Sequence, residues 1–382
     1  MVKSRHTECR NKHSRRFFGL YVFHWALLLV TAVGPLLYLP SLQAQTRPAY
    51  TAIEYARLDN PGATTVIRGM NSTNEVAGGF KKDKRKASSA LIFMANNAVE
   101  DVAGEQGAGN SVAYGINDQS EIVGALNTSV ALHPFRAVRR GGVQELTLPP
   151  GTNGGIAYAI NELGEAAGYA SGDIGIRAVW WTRRGEVQLL QSIGTLTTRA
   201  LDLNDRGDIV GVSGNEVKTA VAWPRKGGII SLGTLPGFVH SEAVSITENG
   251  AIAGVAIGAG EFPNRSRAVL WQPGGVGIRD LGTLNGGSDS RARDVNNRGE
   301  VVGTSSSTEG DRAFVWTAAT GMLDLNSLVT IPGLVMTDAL SINKTGDIVV
   351  MGHDGQTGEP QESHEHVDHH VARRIFVLHP LR

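Results

Sequence analysis

Few residues in this sequence are placed to do chemistry. The stretch GHDGQTGEPQESHEHVDHHVA (352–372) gathers His364, His366, His369 and His370 within seven residues. Neutral imidazoles so spaced capture zinc, nickel or copper when the chain folds round the ion. The glycines and proline of this loop fix no single arrangement, so the pattern supports capture by a flexible segment. A second cluster, KKDKRK, brings together Lys81, Lys82, Lys84, Arg85 and Lys86, a concentration of charge that draws anionic polysaccharide or envelope phosphate.

A third candidate is DLNDRGDI (202–209), which looks like a calcium loop. A loop of the EF-hand type needs oxygen ligands at positions 1, 3, 5 and 12. Counted from Asp202, position 5 is Arg206 and position 12 is Ser213. A cation stands where a ligand is needed, and the bidentate carboxylate is missing. The equivalent stretch from Asp294 fails in the same way, at Arg298 and Ser305. Turn chemistry explains the residues better: Asn204 closes the turn with its side-chain oxygen and Gly207 supplies a positive φ. G-x-S-x-G, H-E-x-x-H and phosphate-loop motifs do not occur. No catalytic residue and no cofactor are therefore nominated.

The turn recurs, and the recurrence reveals the elements that must carry any site. Asn71, Asn117, Asn161, Asn204, Thr247, Asn296 and Asn343 stand at the same place in seven segments, 43 to 49 residues apart. Each segment divides into four short strands, a to d. Strand a runs into the anchor, b is the Ile-Val-Gly run, c ends in sequences such as AVWW (178–181) or AFVW (313–316), and d ends in IISLGTL or IRDLGTL. An all-β repeat of this length is the mark of propeller blades. The expected fold is a seven-bladed β-propeller over residues 45–382. Strict alternation along strand a would put the small residue four before each anchor on one face. The larger residue three before it and the aliphatic next to it would then share the other face. The segment AYTAIEYARLDNPGA (49–63) aligns with a d strand, and the seventh unit lacks one, so the two should pair and close the ring.

Four residues beyond the anchors stand Glu75, Glu121, Glu165, Asp208, Glu300 and Asp347. Arg139, Arg140, Arg183, Arg184, Arg225 and Lys226 follow the c strands. Cross-strand ion pairs inside a blade are expected to neutralise three of these acids. The b–c side carries KKDKRK together with Arg136, Arg177, Lys218, Arg267, Arg312, Arg373 and Arg374, which makes it the basic face.

With the blades laid out, a resemblance emerges. Arg312-Ala313-Phe314-Val315-Trp316 and the LGTL strand ends resemble the HAF repeat family of probable extracellular repeat proteins, over residues 50–382. No repeat here contains His-Ala-Phe itself, and arginine often stands in for the histidine. The resemblance implies export and a repeat architecture, and brings no catalytic residues with it.

The first 44 residues read as a signal peptide or N-terminal anchor. Six basic residues precede an apolar run from Phe17 to Leu39, and SLQAQT offers a cut after Ala44. Contact with a membrane is expected only through this segment if it stays uncleaved. The remainder carries 30 basic and 35 acidic residues, a poor balance for nucleic acid. The sole cysteine, Cys9, lies before the apolar run, so the exported part has no disulfide or thiol chemistry. The expectation is a secreted or periplasmic, non-catalytic binding module whose partner is an anionic polysaccharide or an envelope protein. The alternative is a propeller hydrolase or lyase with its site at the channel mouth.

Overall fold

A computed structural model describes residues 49–58, 64–81, 88–95, 97–102, 110–128, 131–139, 141–194, 197–258, 265–354 and 373–381. Residues 1–45 and 46–382 separate into two units, and the 1–44 segment lies outside the described residues. The second unit is a seven-bladed β-propeller of seven four-stranded antiparallel sheets. Its inner strands, one per blade, are Thr64–Met70, Ser111–Ile116, Thr152–Ile160, Thr198–Leu203, His240–Ile246, Ser290–Val295 and Leu334–Ile342. The expected closure is present: Tyr50–Leu58 pairs with Arg373–Pro380 and completes the seventh sheet. Among the described residues, no helix is long and apolar enough to cross a membrane.

Apolar residues cluster at every blade boundary. Between blades 3 and 4, Ala159, Ala167 and Ala178 meet Leu203, Ile209, Val221 and Trp223. A small face against a large one lets neighbouring sheets approach closely. Strand d is shorter than expected, ending at Ser231 and Asp280 in blades 4 and 5. The LGTL runs that follow are irregular segments, whose Leu232, Leu235, Leu281 and Leu284 plug the boundaries.

Strict alternation on strand a fails in all seven blades. A bulge separates the residue four before the anchor from the one two before it, as between Ala200 and Asp202. An inserted residue flips the faces beyond it. Ala200 and Leu203 consequently share one boundary cluster, as do Ala113 and Ile116. The residues three and two before the anchor turn together into the central channel. Opposite the bulge, strand b needs its glycine: a Cβ on Gly211 would overlap the Arg199 carbonyl oxygen, and one on Gly254 the Glu242 carbonyl oxygen.

Candidate functional site

The channel is built in three layers from the inner strands. The top layer is the anchor turn. In blade 3, Asn161 Oδ1 accepts the N–H groups of Leu163 (3.1 Å) and Glu165 (2.8 Å), and Gly164 sits at φ 74°. Its Nδ2 group donates to the carbonyl of Asn204 in the next blade at 3.1 Å. The same link runs from Asn71 to Asn117, Asn117 to Asn161, Asn204 to Thr247, Asn296 to Asn343 and Asn343 back to Asn71, over 3.0–3.4 Å. Thr247 has no amide to donate to Asn296, so this ring of side chains has six links. The calcium resemblance of 202–209 is thereby accounted for. Asn204 is committed to the ring and the turn, Arg206 pairs with Asp208 at 2.9 Å, and Asp202 faces the channel. Among the described residues, no three His, Cys, Asp or Glu side chains converge as metal ligands.

One residue further on, a second belt rims the channel mouth. The N–H of Ser72 donates to Asp118, that of Asp118 to Glu162, Glu162 to Asp205, Asp205 to Glu248 and Glu248 to Asn297, over 2.7–3.0 Å. Four carboxylates thus surround a cavity of about 260 Å³, with Lys344 reaching Asp118 at 2.7 Å. Burial pushes Glu162 and Glu248 upward, and nearby acids add to it, Asp118 and Asp205 for Glu162, Asp205 and Asp208 for Glu248. Burial also acts upward on Asp118, but hydrogen bonds from Lys344 and Ser72 prevail and hold it below the usual range.

Deeper, the bulge residues line a cavity of about 170 Å³ whose two walls differ. Blades 4 to 7 contribute Asp202, Ser245, Asp294 and Ser341. Asp202 accepts the N–H groups of Leu203 and Ile246, both at 2.8 Å. Asp294 accepts Val295 N–H, Ile342 N–H and the hydroxyls of Ser245 and Ser341 at 2.7–2.9 Å. The Ser245–Asp294 bond joins blades 5 and 6, where the asparagine ring is interrupted. Burial pushes Asp202 up to about 7, with the N–H bonds opposing and the Asp294 charge adding to it. A hydroxyl carries one proton, and Ser245 gives its proton to Asp294. Asp294 is also raised by burial, against its hydrogen bonds.

Blades 1 to 3 build the other wall. Gly69, Gly115 and Ala159 line it with their backbone, and Arg68, Tyr114 and Tyr158 beside them supply its large side chains. Tyr114 and Tyr158 meet edge to face at 5.4 Å and 83°, Tyr158 lies 5.8 Å from Tyr169, and Arg199 covers Tyr169 at 5.5 Å. Burial, reinforced by Tyr169 and Tyr114, holds the Tyr158 hydroxyl up at about 12. Among the described residues, neither Arg68 nor the hydroxyls of Tyr114 and Tyr158 have a hydrogen-bond partner in the protein. Sequence reasoning missed this wall because it depends on the bulge. Its signal was the changing residue type three before each anchor: Arg68, Tyr114, Tyr158, Leu201, Val244, Arg293 and Leu340.

Lys82, Lys84, Arg85, Lys86, His364, His366, His369 and His370 lie outside the described residues, and the backbone of Lys81 ends strand b of blade 1. Of the basic residues assigned to b–c loops, Arg136, Arg177, Arg267, Arg312, Arg373 and Arg374 lie within c strands. Several are matched by acids: Lys218 by Glu242 at 3.0 Å, Arg267 by Asp280 at 3.8 Å, Arg312 by Glu309 at 3.1 Å and Arg374 by Glu54 at 2.8 Å.

Three of the arginines that follow the c strands do neutralise acids, but not within their own blades as expected: each crosses to the preceding blade. Arg139 meets Glu75 at 2.7 Å, Arg183 meets Glu121 at 3.1 Å and Arg225 meets Glu165 at 2.9 Å. Each guanidinium reaches past its own strand to the neighbour's acid. For Arg225 the way is open because Gly207 has no side chain; a Cβ there would sit 2.5 Å from Nη1.

No protein-family model matches the chain, and no curated protein sequence matches it. Solved structures do. A streptogramin B lyase is similar at a TM-score of 0.52 and 12% identity, covering 87% of this chain and 98% of that one. Virginiamycin B lyase from Staphylococcus aureus is similar at 0.52 and 11%, over 87% and 100%. YCF48, solved bound to D1 peptide, is similar at 0.52 and 13%, over 87% and 97%. This likeness shows the fold: the chain is a β-propeller.

Proposed function

We propose that the chain is an exported, non-catalytic binding module of the HAF repeat type, acting in the cell envelope or extracellular space, and that its binding surface is the central channel. The observation that carries this reading is the wall of Arg68, Tyr114 and Tyr158. Among the described residues its polar groups have no hydrogen-bond partner, while the carboxylates and anchors around it are bonded across blade boundaries. Pockets that bind combine aromatic surface with a few convergent polar groups. A solved propeller of similar fold holds a peptide, which supports a binding role for this architecture.

A lyase or hydrolase reading requires an acid–base group facing the ligand. Asp202 has a pKa suited to proton transfer at neutral pH, but both of its oxygens are engaged by backbone N–H groups. No histidine lines this cavity among the described residues, and its second acid, Asp294, already accepts four hydrogen bonds, so the channel favours binding over turnover. The test immobilises the chain and passes envelope extract over it. Retention that Tyr158→Ala abolishes and the rim change Arg184→Ala preserves is expected. Equal retention by both variants would move the binding surface away from the channel. Cell fractionation should recover the protein outside the cytoplasm.

A further inference from the structure

We propose that Arg68, Tyr114 and Tyr158 form a subsite for an acidic sugar, a pyranose carrying a carboxylate within a polysaccharide. The inference rests on the channel being the binding surface and adds the class of ligand.

Arg68 supplies the anion specificity. Its counterpart in blade 6, Arg293, is held by Asp338 at 3.5 Å, and Arg199 lies over the Tyr169 ring. Arg68 is exposed to the channel and has no ion pair or hydrogen bond among the described residues, so its planar fork is uncommitted. Such a fork matches a carboxylate with two parallel hydrogen bonds.

The tyrosines supply the sugar specificity. Two rings at 83° form a corner, with one face for the C–H side of a pyranose and hydroxyls for its O–H groups. The Tyr158 hydroxyl is neutral at pH 7, as an ordinary phenol is, so it presents no charge to an anion. A cavity of about 170 Å³ suits a single ring better than a bulky domain. The charge of Arg68 disfavours a cationic ligand at this wall, and across the cavity Asp202 and Asp294 are occupied by backbone and serine donors.

Charge along the axis sets the side of entry. Asp118, Glu162, Asp205 and Glu248 repel an anion at the anchor-turn mouth. The opposite side is where strand b of blade 1, the blade that carries Arg68, ends at Lys81. An acidic polysaccharide enters there.

The experiment titrates oligogalacturonate into the purified chain by calorimetry. Its methyl ester, dextran sulfate and poly-glutamate serve as comparison ligands. Oligogalacturonate is expected to bind, with the ester and Arg68→Ala each weakening binding at least about tenfold. Arg68→Lys should be intermediate, because it keeps the charge and loses the fork, and Tyr158→Phe should weaken binding by removing a hydroxyl. Unchanged affinity in Arg68→Ala overturns the proposal, as does equal binding of the ester, the sulfate or poly-glutamate. Absence of oligogalacturonate binding alongside Tyr158-dependent retention of envelope material overturns the sugar assignment and leaves the channel reading standing. Absence of both removes the channel reading as well. Arg68 is exposed, so its variants should melt with the parent, and a thermal scan checks this.

Discussion

Replacing Asn161 by threonine imitates the one interruption that the asparagine ring already contains. Thr247 shows what survives: its hydroxyl oxygen still accepts the N–H of the residue four ahead, at 2.9 Å from Ala251. Besides the bond from the exposed Leu163 N–H, which water can replace, Asn161→Thr loses the amide donor that serves the Asn204 carbonyl and the buried carboxylate of Glu165, both at 3.1 Å. The carbonyl keeps the N–H of Gly207, so its share is about 1 kcal/mol, and the bond to a charged acceptor adds about 1.5–3 kcal/mol. Glu165 retains Arg225, which places the total at roughly 2–4 kcal/mol. A propeller of roughly 340 residues unfolds with an entropy near 0.7 kcal/mol/K at about 2.1 cal/mol/K per residue. Differential scanning calorimetry at pH 7 should therefore show a Tm about 3–6 °C lower. The converse variant, Thr247→Asn, supplies the missing donor to Asn296 and should raise Tm by about 1–2 °C. A Tm for Asn161→Thr within a degree of the parent would show that the ring is a by-product of the turns and holds nothing together.

Gly211→Ala should abolish soluble expression, because its Cβ would overlap the Arg199 carbonyl oxygen, whereas Gly299→Ala meets open space and should cost about 1 kcal/mol for its positive φ, measured by urea titration. Arg183→Ala strips a charged partner from Glu121, which is 5% exposed, and should lower stability by about 1–3 kcal/mol in the same assay. Asp202 has a folded pKa of about 7, above its unfolded value near 3.9. The folded state therefore binds more protons between these values, and this contribution to stability is full at low pH and lost as pH rises from about 4 to 7. Asp202→Asn mimics the protonated acid and should flatten that part of the pH profile in urea melts at pH 5 and pH 8.

The blades were legible because each is a local event. The asparagine, the turn glycine and the Ile-Val-Gly run lie within a dozen residues, and their geometry is dictated by hydrogen bonds that the segment makes with itself. Closure was legible because Tyr50–Leu58 has the pattern that the last unit lacks. The arginine–acid pairs were only half legible. The sequence shows which charges lie near the ends of strands, but an arginine long enough to pass over a turn chooses its partner by blade packing, and Arg183 chose Glu121 over Glu165. The channel wall was hidden for a related reason. A bulge changes which way Tyr114 and Tyr158 point while leaving the order of residue types untouched.

Closure by the first described strand also sets a clock on synthesis. Tyr50–Leu58 must wait for Arg373–Pro380, more than 300 residues later, which takes about 15–65 s at 5–20 residues per second. Bringing such distant ends together costs about 5 kcal/mol of chain entropy before any contact offsets it. Throughout that interval the early strand presents a bare edge, the feature that invites pairing with other chains. The step most exposed to aggregation is therefore the last one, and a holding factor that shields residues 50–58 would raise the yield of closed rings more than one acting on any inner blade.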